Sequence, residues 1–377
     1  MKPACLGGLS PRRFLREHWQ KKPLLIRQAF PGFGGLIDKR ALFRLAGDET
    51  AETRLIRQKR SGWHVEHGPF SPAVFAKLPE RDWTLLLQDL NHHLPEAARL
   101  LQAFDFIPHA RVDDVMVSYA VASGGVGPHV DSYDVFLLQG SGRRRWQISA
   151  QKNQELVADA PLKILRDFRS EQEWVLDPGD MLYLPPGYAH NGTAVNECTT
   201  YSIGFRAPSM QELAYGFLGH LQDRLAQDGM YADPDLTATS KPGEIPSAMV
   251  RKVTTLVDSL RWQTDDVTEF LGIYLSEPKP HVFFSAPRRA LSQTAFASAL
   301  AKRGLRLVLK SRRLYRGRIF YLNGEPYQAP AADLAWLSTL ADRRCASVAK
   351  ISADTAAQLY DWYQAGFVDL AVAKSDE

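Results

Sequence analysis

Apolar and polar residues alternate with a period of two over most of the stretch from residue 113 to 205, and the breaks in that alternation mark out short strands. Asp113 to Val121 reads as one strand, ended by Ser123-Gly124-Gly125, and Val130 to Leu138 as the next, turned back by Gly140-Ser141-Gly142. Arg143 to Ile148, Trp174 to Leu176, Met181 to Leu184 and Thr199 to Phe205 continue the series, with Asp177-Pro178-Gly179-Asp180 as a tight turn. Many short antiparallel strands predict a sandwich or barrel. Helical signals flank them. Ser10-Pro11 is an N-cap followed by proline at the first helical position. Ser209 with Glu212 makes a capping box ahead of a helix whose Leu213, Ala214, Phe217, Leu218, Leu221 and Leu225 share a face. After loop residues Asp228 to Glu244, two more helices are expected near Pro246 to Leu260 and Thr264 to Leu275.

Pro278-Lys279-Pro280 precedes a last unit: a helix near Gln293 to Lys302, strands at Leu305 to Leu309 and Arg318 to Leu322, an Asn323-Gly324 turn, two helices and a strand from Phe367 to Val372. That order resembles a winged helix. Three regions follow: residues 1–208 as a β-rich core with helices at its N-terminal side, 209–280 as a helical module, and 281–377 as a winged-helix-like domain. The class is mainly β with α. The stripes of the helical module suit a dimer interface or a core within one chain equally.

At 377 residues the chain exceeds one typical core, and its 45% hydrophobic content is that of an ordinary soluble protein. The basic run Lys302, Arg303, Arg306, Lys310, Arg312, Arg313, Arg316 and Arg318 could touch nucleic acid. A solvated face is the preferred reading, because the run is interspersed along strand positions and the net charge is only +4. No apolar segment reaches membrane length, which points to a cytoplasmic protein with no membrane partner. Cys5, Cys198 and Cys345 lack any paired ligand spacing and read as reduced thiols.

The candidate chemistry lies within the β-rich region. Gly127-Pro128-His129-Val130-Asp131 is answered by Leu184-Pro185-Pro186-Gly187-Tyr188-Ala189-His190, giving two imidazoles and a carboxylate in the order of a 2-His-1-carboxylate iron site. On a strand His129, Asp131 and Tyr133 point the same way, and His190 must arrive from another strand. Such a triad leaves coordination positions open, whereas a structural zinc site is closed by four ligands. A rival cluster, His64-Val65-Glu66-His67, has no matching partner strand and reads as a polar strand edge; His92-His93 reads as a helix end. In the triplet Arg143-Arg144-Arg145, only Arg144 shares a face with Trp146, which favours an inward guanidinium in need of an anion. Asp114, Met116 and Ser118 alternate out of step with Val115, Val117 and Tyr119, and Ser202 sits on a further strand.

These motifs resemble the bacterial JmjC-type, cupin-fold oxygenases that hydroxylate a ribosomal protein. The resemblance runs from Phe14-Leu15-Arg16-Glu17-His18-Trp19 through Asp113-Asp114-Val115-Met116, Gly127-Pro128-His129 and Gly142-Arg143-Arg144-Arg145-Trp146 to Tyr201-Ser202-Ile203-Gly204-Phe205-Arg206. It implies a double-stranded β-helix (jelly-roll) core, then a helical dimerisation module and a winged-helix-like domain. It also implies Fe(II) held by His129, Asp131 and His190, with 2-oxoglutarate and O2 as cosubstrates and Arg144 on the distal carboxylate of 2-oxoglutarate. The implied substrate is an arginine side chain of a large-subunit ribosomal protein, the one numbered sixteen. Asp114 and Ser202 would bond its guanidinium while Met116 and Tyr133 sandwich its stem; succinate and CO2 would be released. Two alternatives stay open: hydroxylation of histidine or demethylation of lysine on the same fold, and a non-catalytic cupin whose C-terminal unit binds nucleic acid.

Overall fold

The computed structural model describes residues 4–59, 62–225, 229–347 and 351–371. Asp228, expected to open a loop, and Val372, expected to end the last strand, lie outside the described residues. Eleven strands build the β-rich region: β1 (Leu24–Ile26), β2 (Thr53–Lys59), β3 (Gly62–His67), β4 (Trp83–Leu87), β5 (Val112–Ala120), β6 (Asp134–Gln139), β7 (Arg144–Ser149), β8 (Gln172–Leu176), β9 (Met181–Leu184), β10 (Ala189–Ala194) and β11 (Cys198–Phe205). They form an eight-stranded sheet in the order β1-β9-β6-β11-β5-β4-β2-β3 and a three-stranded sheet in the order β10-β7-β8. The result is a double-stranded β-helix.

Alternation along β5, β6 and β11 divides the large sheet into two different surfaces. Outward, Val117, Tyr119, Phe136, Leu138, Tyr201 and Ile203 pack with Phe14, Leu42, Leu100 and Phe104 of the N-terminal helices and loops into the main core. Inward, Val135, Leu137, Leu182 and Leu184 meet Trp146, Ile148 and Leu176 of the small sheet in a lesser core. Each such side chain contributes about 1.5–3 kcal/mol when buried. The outer core therefore carries most of the stability, and the inner surface is free to hold polar groups.

One buried carboxylate ties the N-terminal helices to this sheet. Asp134, fully buried at the start of β6, accepts hydrogen bonds from the Tyr183 hydroxyl (2.6 Å), Gln20 Nε2 (2.9 Å) and Arg111 Nη2 (3.2 Å).

The capping box at Ser209 forms: Glu212 N–H donates to Ser209 Oγ at 3.1 Å and Ser209 N–H to Glu212 Oε2 at 2.7 Å. It opens the helix Met210–Gln222, followed by Ser247–Ser259 and Thr264–Ser276. Phe217 stacks edge-on against Phe270 and Trp262, while Leu218, Val250 and Val257 stay exposed. The third helix lies on the C-terminal unit, where Gly272 leaves room for the Tyr321 ring.

That unit carries β12 (Leu305–Leu307), β13 (Arg313–Arg316), β14 (Ile319–Leu322), β15 (Glu325–Gln328), β16 (Cys345–Ala346) and β17 (Val368–Leu370), with helices Gln293–Arg303, Leu334–Arg343 and Ala353–Gln364. The sheets β16-β12-β17 and β13-β14-β15 give the winged-helix arrangement. The solvated reading of the basic run needs correction in part. Lys302, Arg303, Arg306, Arg316 and Arg318 are exposed, but Arg312 and Arg313 are sunk into the seam with the β-rich region. Arg312 Nη2 donates to the Val112 carbonyl at 2.8 Å and Arg313 Nε to the Ala341 carbonyl at 2.7 Å. A long arginine stem buries itself readily once its head finds carbonyls, and periodicity along one strand does not report such partners.

Replacing Asp134 with Ala strands three donors around a dry cavity. Urea denaturation should show a loss of about 3 kcal/mol; a variant as stable as the parent would refute the tie between helices and sheet.

Candidate metal centre and groove

The segment expected as one strand from Val130 is split. Regular pairing begins only at Asp134, and Gly127 to Tyr133 runs as a loop. Two interactions bend it. His129 N–H donates to the His190 carbonyl and His190 N–H to the His129 carbonyl, both at 2.9 Å, a single bridge that places the imidazoles side by side with ring centres 4.2 Å apart. The Asp131 carbonyl then accepts from Gly187 N–H at 2.8 Å, which takes it out of any ladder. His129 and Asp131 thus converge through a pinned loop rather than through strand alternation. Gly127 makes the loop possible: its φ of +82° suits glycine, and a Cβ there would lie 2.8 Å from the Trp63 ring and from Ile164 Cδ1.

His129 Nε2 lies 3.8 Å from Asp131 Oδ1, and His190 Nε2 lies 3.6 Å from Asp131 Oδ2. One ligand atom from each of the three falls within 4.8 Å of the others. Each Nδ1–H donates to a carbonyl 2.9 Å away, that of Gly127 for His129 and that of Tyr188 for His190. Those bonds fix the tautomer and turn both Nε2 lone pairs toward the shared point. Burial, with His129 alongside, pushes the His190 imidazole down to about 4 against the opposing pull of Asp131, so it is neutral at pH 7. Two imidazole nitrogens and one carboxylate oxygen suit a divalent ion of the Fe(II), Mn(II) or Zn(II) type.

Arg144 lies on β7 and is linked to this point through Trp146. Its guanidinium is 5.7 Å from the Trp146 ring, which is itself 5.9 Å from the His190 ring. It is 5% exposed, whereas Arg143 and Arg145 face solvent. Nη1 donates to Ser118 Oγ at 3.1 Å, while Nε and Nη2 have no partner. A buried cation with two vacant donors is costly by itself, and its planar fork is matched by a carboxylate.

From Ser118 a row of residues leads away along the inner face. Register pairs Ser118 with Thr200 and Met116 with Ser202 across β5 and β11. Asp114 follows, with Oδ1 near Gly204, where a Cβ would lie 3.3 Å from that oxygen and 3.9 Å from the Tyr133 ring. Tyr133 is 38% exposed; burial, reinforced by Asp131, Asp114 and Asp113, pushes its hydroxyl above the ordinary tyrosine value. Ser118 and Asp114 are four residues apart, about 13 Å along a strand. Burial pushes Asp114 up to about 7, with Asp113 and Asp89 adding to the shift, while Lys279 and the Asp89 N–H oppose it.

The rival cluster falls elsewhere. His64, Glu66 and His67 lie on β3 at the edge of the large sheet, Glu66 pairs with Arg57, and among the described residues they do not gather into a metal-sized group. His92 and His93 end the helix Leu90–His93. A second group, Glu52, Asp89 and His281, does gather. Its Asp89 is already held by the Lys279 ammonium at 3.0 Å. Sequence reasoning missed Asp89 and Lys279 altogether; lone charges in loops give no periodic signal.

Known proteins resemble this chain in sequence and in fold. The JmjC domain family matches residues 99–213, and the ROXA-like winged helix family matches residues 259–369. The ribosomal protein uL16 3-hydroxylase of Escherichia coli K12 is 33% identical over 319 residues, covering 84% of this chain and 85% of the relative. The chain belongs to the JmjC ribosomal oxygenases. A probable ribosomal oxygenase of Haemophilus influenzae is 39% identical over 232 residues, 60% of this chain and 55% of the relative. The structure of Escherichia coli YcfD in complex with cobalt and 2-oxoglutarate superposes with a TM-score of 0.83 at 30% identity, covering 96% of this oxygenase and 98% of that chain.

If the three side chains share one ion, His190→Ala should weaken Mn(II) binding about a hundredfold or more by titration calorimetry. Glu66→Ala, at the rival cluster, should leave it unchanged; the reverse order would move the metal to β3.

Proposed function

We propose that this oxygenase uses Fe(II) held by His129, Asp131 and His190, together with 2-oxoglutarate and O2, to hydroxylate an arginine side chain of the large-subunit ribosomal protein numbered sixteen. The observation that carries the reading is the Arg144 guanidinium, buried against the Trp146 ring, which neighbours His190, with two donors unfilled. A dicarboxylate that reaches the metal with one end would fill those donors with the other. Bound there, iron with its cosubstrates supplies the oxidising chemistry and releases succinate and CO2.

The chain's own residues supply position. Ser118 and the Trp146 ring orient the Arg144 fork, and Trp146 with Leu137 keeps that end of the groove apolar and dry. At the other end, Asp114 offers a carboxylate to a guanidinium, with Ser202 as a further hydrogen-bonding group. Met116 and Tyr133 stand between as thioether and aromatic walls for methylenes. A C–H bond offers nothing to grip, so gripping the charged head some atoms away selects the carbon that meets the metal. Support for a ribosomal substrate comes from the uL16 hydroxylase relative, with which the chain aligns over most of its length. The charge of Asp114 favours arginine over a neutral imidazole.

The same proposal includes the three-part division 1–208, 209–280 and 281–377 and pairing with a second copy. Tyr215, Leu218, Val250 and Val257 are 67%, 58%, 52% and 57% exposed, on faces of two helices that the other described residues leave uncovered. No helix among the described residues is long and apolar enough to cross a membrane.

Incubation with Fe(II), 2-oxoglutarate and that ribosomal protein, followed by tandem mass spectrometry, should place one added oxygen on an arginine. Oxygen on a histidine, loss of methyl groups from lysine, or no turnover with nucleic-acid binding instead would each displace the reading. Asp114→Asn should raise the KM for the protein substrate about thirtyfold, equivalent to about 2 kcal/mol, with metal affinity intact. Leu218→Glu combined with Val257→Glu should halve the mass seen by light scattering; an unaltered mass would remove these helices from the interface.

A further inference from the structure

Asp114 shares its surroundings with two other carboxylates and one ammonium. Lys279 Nζ lies 3.0 and 3.3 Å from the two Asp89 oxygens, 3.4 Å from Asp113 Oδ1 and 3.8 Å from Asp114 Oδ2. Asp114 Oδ2 also accepts the Asp89 N–H at 3.1 Å, so this oxygen is turned away from the groove and Oδ1 toward it. Lys279 stands between Pro278 and Pro280, and Val282 N–H closes a turn onto the Lys279 carbonyl at 2.9 Å. Two fixed φ angles and a turn hold the connector where the ammonium reaches inward.

We propose that Lys279 is a positioning residue for substrate recognition: from the connector ahead of the C-terminal unit, it favours the charged form of Asp114 and holds that carboxylate aimed into the groove. This rests on the reading of Asp114 as the guanidinium partner.

Every element around Asp114 contributes to its charge balance. Asp113 on the same strand, Asp89 ahead of the helix Leu90–His93, and Tyr133 beyond the loop all oppose a negative charge or cannot offset one. His92 is buried and pushed down to about 4, so it is neutral. His281 Nε2 and Glu52 face Asp89 rather than Asp114, at 3.2 Å for the imidazole. Arg206 and Arg312 reach Asp113, at 3.7 and 3.8 Å. Lys279 alone among the described cations is within 4 Å of Asp114 itself. Burial works against the ammonium, yet the three carboxylates together hold it above the ordinary lysine value, so it stays charged through neutral pH. Without it, Asp114 would be a buried acid beside two like charges, protonated at neutral pH and unable to form a charge-assisted pair. The connector to the C-terminal unit thereby enters recognition without touching substrate.

The test uses the full chain with iron, 2-oxoglutarate and an arginine-bearing peptide of the ribosomal protein. The wild type should lose kcat/KM as pH falls and Asp114 takes up a proton. Lys279→Met should move that limb about one pH unit toward alkali, a rise of about fivefold in KM at pH 7 because Asp114 already titrates at about 7, with kcat at saturating peptide and the KM for 2-oxoglutarate unchanged. Lys279→Arg should restore the limb. If Lys279→Met does not fold, Lys279→Gln carries the same comparison. A limb that stays in place in the neutral variant, while Asp114→Asn raises KM, overturns the positioning role alone. An Asp114→Asn variant that keeps its KM overturns the arginine subsite, and this proposal with it.

Discussion

The reciprocal pair of backbone hydrogen bonds between His129 and His190 is the contact on which the site depends. It joins a loop that leads into the large sheet to a strand of the small one, so the metal point sits where the two layers meet. The side chains follow from it. With the main chains locked at 2.9 Å, each imidazole is oriented by a carbonyl two residues earlier, and Asp131 closes the triangle because Gly187 holds its carbonyl. A ligand set built this way is rigid before any ion arrives, which is what preorganised coordination requires.

Stability and chemistry are divided between the faces of one sheet. The outer face is mostly aromatic and aliphatic, sealed by the N-terminal helices, and it removes enough apolar surface from water to fix the strands in register. The inner face of the same strands then tolerates Ser118, Thr200 and Asp114, and the facing small sheet Arg144, each of which costs free energy in isolation.

Buried guanidiniums occur in two conditions. Arg344 donates to the Ser311, Val308 and Leu309 carbonyls, and Arg312 and Arg313 also spend donors on carbonyls along the seam. Those charges serve the fold. Arg144 has only a hydroxyl, and its Nε and Nη2 are buried without a partner. The contrast separates cations whose donors are satisfied within the fold from one whose donors are not, because an internal carbonyl satisfies a donor permanently.

Much of this was legible in the chain. Period-two alternation with turn residues gave the strands, the capping box at Ser209 gave a helix start, and the spacing of His129, Asp131 and His190 marked the chemistry, since all of these are local signals. Arg144 was separable from its neighbours because Trp146 shares its face. The route of the ligand loop was not legible: alternation assigned Val130 to Tyr133 to a strand, and only the Gly187 contact, far along the chain, shows why they leave it. The burial of Arg312 and Arg313 and the grip of Lys279 on Asp89, Asp113 and Asp114 were equally silent. A sequence declares what a residue prefers from its own neighbours; which carbonyl or carboxylate meets a lone charge depends on segments up to 200 positions away, and only packing in three dimensions decides that.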